Sequence, residues 1–234
     1  MESGSSPETE KRKRTGMTPQ QITLFGLLTA LALVLSFFDE KIPLLNGFIP
    51  GFKLGLANTV LIFAVYMMSW KTSVMLMLSK VLLTSLLFGM NMFWVRFGGG
   101  AVSLLVMQLL KKKPEGGLLA VAVIAALVLV QLIISQSKAV WIMILISAVC
   151  IACIVSFIAV YKGILPRIVA TSICGAVAHN FGQTVAARLK TYIPPQLWIT
   201  YFPGIVIIGA IVGCMTGIVA DRVIRLMKTH SAAQ

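Results

Sequence analysis

Lys53, Asn58, Asn91, Arg96, His179, Asn180 and Gln183 are the side chains of this sequence with the most chemistry to offer, because they border or interrupt long apolar runs. An ionisable or amide side chain in such a run is costly, so each is a functional candidate. His179 and Gln183 are four residues apart and share a helical face, with Gly175 and Gly182 beside them and Asn180 on an adjacent face. Two readings fit this pattern. One is glue, in which small residues let helices approach and the polar groups bond between them, and it suits His179 taken alone. The other is the wall of a ligand pocket, and it suits the seven taken together. Lys53 and Arg96, with Phe93, Trp94 and Phe97 nearby, would favour a phosphate-bearing or flat ligand. Lys80 stands inside an apolar run, and every acid of the chain falls outside the runs. Its stem could snorkel to the interface, or its ammonium could meet a carbonyl-lined or anionic site within a bundle.

The elements that must position these residues are helices. The chain has 58% hydrophobic and 12% charged residues, with mean hydropathy +0.94 over 234 residues, more apolar surface than one soluble core can hide. Apolar runs of this length in lipid must satisfy their own backbone groups, which selects α-helices. Cutting the sequence at charges and Pro/Gly clusters predicts an all-α polytopic membrane protein of about eight spans: 22–38, 54–70, 72–90, 92–110, 118–135, 139–161, 167–189 and 201–220. Residues 1–17 read as a disordered basic tail, and 18–230 as one transmembrane domain. The first run does not read as a cleaved signal, since it ends in Phe37, Phe38, Asp39 and Glu40 where small residues would be needed.

Basic residues set the orientation. With the amino terminus in the cytoplasm, the inner segments hold Lys11, Arg12, Lys13, Arg14, Lys71, Lys111, Lys112, Lys113, Lys162, Arg167, Arg222, Arg225 and Lys228, thirteen in all. The outer segments hold Lys41, Lys53, Arg96, Lys138, Arg188 and Lys190, which makes six. Both termini are then cytoplasmic, and the seven polar candidates converge on the outer half. His179 would lie ~18 Å and Gln183 ~24 Å above the inner end of their helix. The net charge of +13 is on this view a topology signal and an anchor to anionic lipid, not a nucleic-acid surface. The outer segment Asp39–Lys53 is too long for a tight turn and too apolar for a solvated loop, and it reads as a lid or an interfacial segment.

Other motifs carry little. Cys150 and Cys153 fall in mid-span among apolar residues, where packing explains them. Gly98–Gly100 has no Walker lysine after it, and close packing or a hinge accounts for it. The acids are few and dispersed, and no DDxxD occurs, so neither a metal site nor an enzyme is expected and no cofactor is assigned to the chain.

Three stretches carry a family resemblance: PGFKLGLANTVLIFAVYMMSWK (Pro50–Lys71), LLFGMNMFWVRFGGGAVSLLVM (Leu86–Met107) and ICGAVAHNFGQTVAA (Ile173–Ala187). Together they resemble the Gx transporter family, also labelled heptaprenyl diphosphate synthase component I, and through it the S components of energy-coupling-factor transporters. The resemblance implies a six-helix core with an outward-facing pocket, in which Lys53, Asn58, Arg96, His179, Asn180 and Gln183 border the substrate. It implies a partner module of a coupling membrane subunit and two ATPases that use the ATP, with Gly26 and Ala30 on the docking surface. The expected place is a bacterial cytoplasmic membrane. Residues 114–165 depart from the pattern and read as an inserted two-helix hairpin, which preserves the orientation of everything after it. The expected function is capture of a small anionic or aromatic molecule. The alternatives are a noncatalytic membrane component of prenyl diphosphate synthesis and a scaffold without a ligand.

Overall fold

The computed structural model describes residues 18–41, 55–112, 158, 160–190 and 195–232. Among them are six α-helices and one 3-10 turn, and no strand: α1 (Pro19–Lys41), α2 (Asn58–Met67), α3 (Trp70–Phe88), the turn Met90–Met92, α4 (Phe93–Lys112), α5 (Arg167–Lys190) and α6 (Pro195–Ala232). Four stretches are long and apolar enough to cross a membrane: Pro19–Lys41, Trp70–Phe88, Met90–Lys111 and Gly204–Thr229. They coincide with four of the eight expected spans. The expected spans 118–135 and almost all of 139–161 lie outside the described residues, as do the basic tail, the hairpin interior, Cys150 and Cys153.

Local chemistry explains where the helices start and stop. Thr18 and Gln21 form a reciprocal capping box, the Gln21 amide donating to Thr18 Oγ1 (3.3 Å) and the Thr18 amide to Gln21 Oε1 (3.1 Å), with Pro19 at the first helical position. α1 buries Leu28, Ala32, Ser36 and Asp39, a stripe at three- and four-residue spacing, and turns Ile22, Leu27, Leu31, Val34, Phe37 and Phe38 outward. It runs through Asp39, Glu40 and Lys41, so these residues belong to its last turn and not to the expected outer loop. The rest of that loop, 42–54, lies outside the described residues.

α2 is ten residues long, ~15 Å at the helical rise, about half the apolar thickness of a bilayer. This is shorter than the 54–70 span expected. Gly55 takes φ +78° before it, and Met68 turns extended after it so that Ser69 can cap α3, where Ser69 Oγ accepts from the Thr72 amide (3.3 Å). Val60–Val65 are buried all round, so α2 is enclosed by its neighbours. Two donors close its carboxyl end: Ser73 Oγ on the Ala64 carbonyl (3.1 Å) and Lys111 Nζ on that of Val65 (2.5 Å).

α5 occupies the centre, with its most extensive contacts to α4 on one side and α6 on the other. Every residue from Val169 to Gly182 is buried. Thr171, Ser172, His179 and Asn180 are thus covered by protein, which is how so polar a helix can sit in this bundle although it is not among the four apolar stretches. Glycines permit the approach. A Cβ on Gly182 would lie 2.5 Å from the Gly98 carbonyl oxygen, and one on Gly213 or Gly217 would lie 2.8 Å from the Cα of Ile173 or Val169. Gly209, Gly213 and Gly217 form a four-residue small-residue repeat along α6 that lies against α5. α6 is longer than the 201–220 span expected, and its basic end continues the helix, with Arg225 Nε on Asp221 Oδ2 at 2.8 Å.

Candidate functional site

Each of the three consecutive glycines of α4 makes room for a different neighbour. Gly98 faces the α5 backbone at Gly182, and Gly100 faces the Met77 side chain of α3. A Cβ on Gly99 would meet Gln183 and come within 2.9 Å of the His179 ring. Close packing, one of the two readings offered for this run, is thus its local role, and it brings His179 and Gln183 against α4. Both side chains line one cavity with Ser36 and Asp39 of α1, Met77, Lys80, Val81 and Thr84 of α3, and Arg96 and Gly100 of α4. Gly55, Ala57 and Leu61 complete the wall at the start of α2.

Arg96 is buried in the first turn of α4, where Phe93, Trp94 and Phe97 also stand in mutual ring contact as helical residues. Its Nη1 donates to the Gly89 carbonyl (2.9 Å) and to Ser85 Oγ (3.4 Å), and its Nη2 lies 3.8 Å from Glu40 Oε2. Gly89 holds φ +109°, a conformation that suits only glycine. Lys80 Nζ donates to Asn58 Oδ1 at 3.5 Å and lines the cavity, so of its two readings the contact inside the bundle is the one seen. Asp39 Oδ1 accepts from the Leu56 amide (3.2 Å) just ahead of α2.

The sequence candidates therefore divide. Arg96, His179 and Gln183 meet at the cavity, and Asn58 is buried beside it through Lys80. Asn91 is exposed in the 3-10 turn, with its Oδ1 over Gly89. Asn180 points to α6, donating to the Ile205 carbonyl (3.1 Å), and a Cβ on Gly209 would strike its amide. Lys53 lies outside the described residues. Gly26 and Ala30 are both exposed on α1, with open space at Gly26. Sequence reasoning missed Asp39, Glu40, Ser36 and Thr84. The first two were read as loop, although Asp39 falls seven residues after Ala32 and three after Ser36, in register with the buried stripe.

The cavity measures about 30 Å³. That is room for one or two waters, or for the head of a ligand and not the whole of one. Chemically it offers two cations, a carboxylate, an imidazole and an amide in surroundings of low polarity, where hydrogen bonds to charge are strong.

One family model matches the chain, that described as heptaprenyl diphosphate synthase component I, over residues 28–171. The match takes in α2, α3, α4 and the 114–165 stretch, and it stops short of His179. No curated protein and no solved structure matches. Because the matched residues make up more than half of the 234, the chain belongs to the heptaprenyl diphosphate synthase component I family.

Proposed function

We propose that this protein is the substrate-binding membrane subunit of an energy-coupling-factor-like transporter, capturing a small anionic or aromatic molecule whose head enters the cavity between α1, α3, α4 and α5. The observation that carries this reading is the convergence of Asp39, Lys80, Arg96, His179 and Gln183, from four helices, on one cavity inside the bundle. Such groups are costly in a membrane and are retained where they bind or conduct something. The exposed Gly26 and Ala30 on α1 support a docking surface for a coupling subunit, whose ATPase partners would supply the energy. Purifying the full chain from its own membranes in mild detergent should bring down a small molecule together with a second membrane protein and ATPases, identified by mass spectrometry. Recovery of the chain with no small molecule would overturn the reading.

The family description favours a second reading, a noncatalytic membrane component that works with another subunit in prenyl diphosphate synthesis. In that case the same preparation should contain a soluble prenyl-transferring subunit in place of the ATPases.

The proposed topology has eight spans, both termini cytoplasmic, and a six-helix core to which the 114–165 hairpin is an accessory. On a background without the native cysteines, single cysteines at 41, 138 and 192 should react with an impermeant thiol reagent in intact cells, and those at 71, 112 and 165 should not. Labelling at 112 would refute this arrangement.

A further inference from the structure

Arg96 and Asn58 both hold buried donor groups for which the described residues provide no acceptor. Arg96 is 7% exposed, and its guanidinium is used on one side only: Nη1 is anchored on Gly89 and Ser85, while Nε has no partner among the described residues. Nε and Nη2 share one edge of the guanidinium plane, the edge that takes a carboxylate or phosphate with two parallel bonds. Among the described residues the carboxylate that stands along it is that of Glu40, whose Oε2 is 3.8 Å from Nη2, near enough for charge attraction and too far for a hydrogen bond. Asn58 is 2% exposed, and its Nδ2 likewise lacks an acceptor among the described residues. The orientation of that amide is fixed chemically, because Oδ1 accepts from the Lys80 ammonium and a flip would set two donors against each other. Asn58 Nδ2 is also close to the cavity wall, 3.2 Å from where a Cβ on Gly55 would stand. Leaving a buried donor without an acceptor is costly, so two beside one cavity point to a ligand that supplies acceptors.

We infer that the ligand enters with an oxyanion, a carboxylate or a phosphate, that binds the Nε–Nη2 edge of Arg96, and that Glu40 is the resident counter-ion which this group displaces. The inference rests on the substrate-binding reading above and adds a regulation to it. In the empty site Glu40 offsets the Arg96 charge and ties the outer end of α1 to α4. In the filled site the ligand takes over that role and releases the last turn of α1, the helix that also carries the exposed Gly26 and Ala30.

The test uses the full chain in detergent, with inorganic diphosphate and succinate as probes of the two oxyanion sources, titrated by calorimetry. At least one should bind the native chain, and which one identifies the source. Glu40→Gln removes the competitor and should bind that probe about tenfold more tightly. Arg96→Lys keeps the charge opposite Glu40, and with it the fold, but lacks the planar edge, and should bind at least about tenfold more weakly. Equal affinity in either variant, or no binding of either probe to the native chain, would overturn the inference. The copurified small molecule separates this failure from that of the broader reading. If it stays with the native chain and is held equally by both variants, the site binds a ligand but not in this way. If no small molecule accompanies the native chain at all, the substrate-binding reading itself fails.

Discussion

Gly182→Val should lower the stability of the purified protein by about 3 kcal/mol, the upper part of the range for overpacking a filled interior, and should show as a large fall in the thermal unfolding midpoint in detergent. Even the first added carbon would sit 2.5 Å from the Gly98 carbonyl oxygen, 3.0 Å from its carbon and 3.0 Å from Val102 Cβ. Two of those three atoms are backbone, so no rotamer change relieves the contact, and α4 must move away from α5 as a body. That motion would also separate Arg96 on α4 from His179 and Gln183 on α5, so ligand retention should fall with stability. Gly26→Val is the contrasting variant. Nothing lies within 4 Å of that glycine, so the fold should be unaffected, while recovery of a coupling subunit should drop if α1 is the docking helix.

Arg96→Ala should weaken binding of the copurified molecule by about ten- to a hundredfold, the loss of a charge-assisted contact of roughly 1.5 to 3 kcal/mol. Lys71→Ala should leave affinity unchanged, since Lys71 is exposed at the start of α3, at the opposite end of that helix from Ser85 and the Arg96 site. Binding to the detergent-solubilised chain distinguishes the two. His179→Ala should weaken binding as well, but it also opens space against Gly99, so its effect mixes contact with packing. A similar loss for Arg96→Ala and Lys71→Ala would indicate a diffuse electrostatic effect and not a site.

The helical class and most of the helix positions were legible because apolar runs of membrane length have few alternatives. The close packing of α4 was written in Gly98–Gly100, whereas the start of α1, readable in Thr18, Pro19 and Gln21, was placed at residue 22. Gly209, Gly213 and Gly217 were equally readable as a four-residue repeat, and they went unread because hydropathy alone defined that span. The shortness of α2 was not legible. An enclosed half-length helix and a spanning one have the same composition, and the difference shows in the burial of Val60–Val65, the extended Met68 and the donors from Ser73 and Lys111 at its end. The site was half legible. Arg96, His179 and Gln183 were found because a polar group in an apolar run stands out. Asp39 and Glu40 were lost because charge was taken to end the helix, whereas here the helix runs on through both, placing Asp39 on the cavity wall and Glu40 beside Arg96. Asn180 shows the converse: a side chain of the right type, one residue from His179, whose amide serves the α5–α6 contact instead.

If the cavity holds a ligand, Arg96 should be its anchor. Mass spectrometry of small molecules released from equal amounts of the native chain and of folded Arg96→Ala protein, both purified from membranes, tests it most directly. The native chain should release one molecule bearing a carboxylate or phosphate in a fixed ratio to protein, and the variant should release little or none. Equal release from both, or none from either, would contradict the account and leave the polar cluster as interhelical glue.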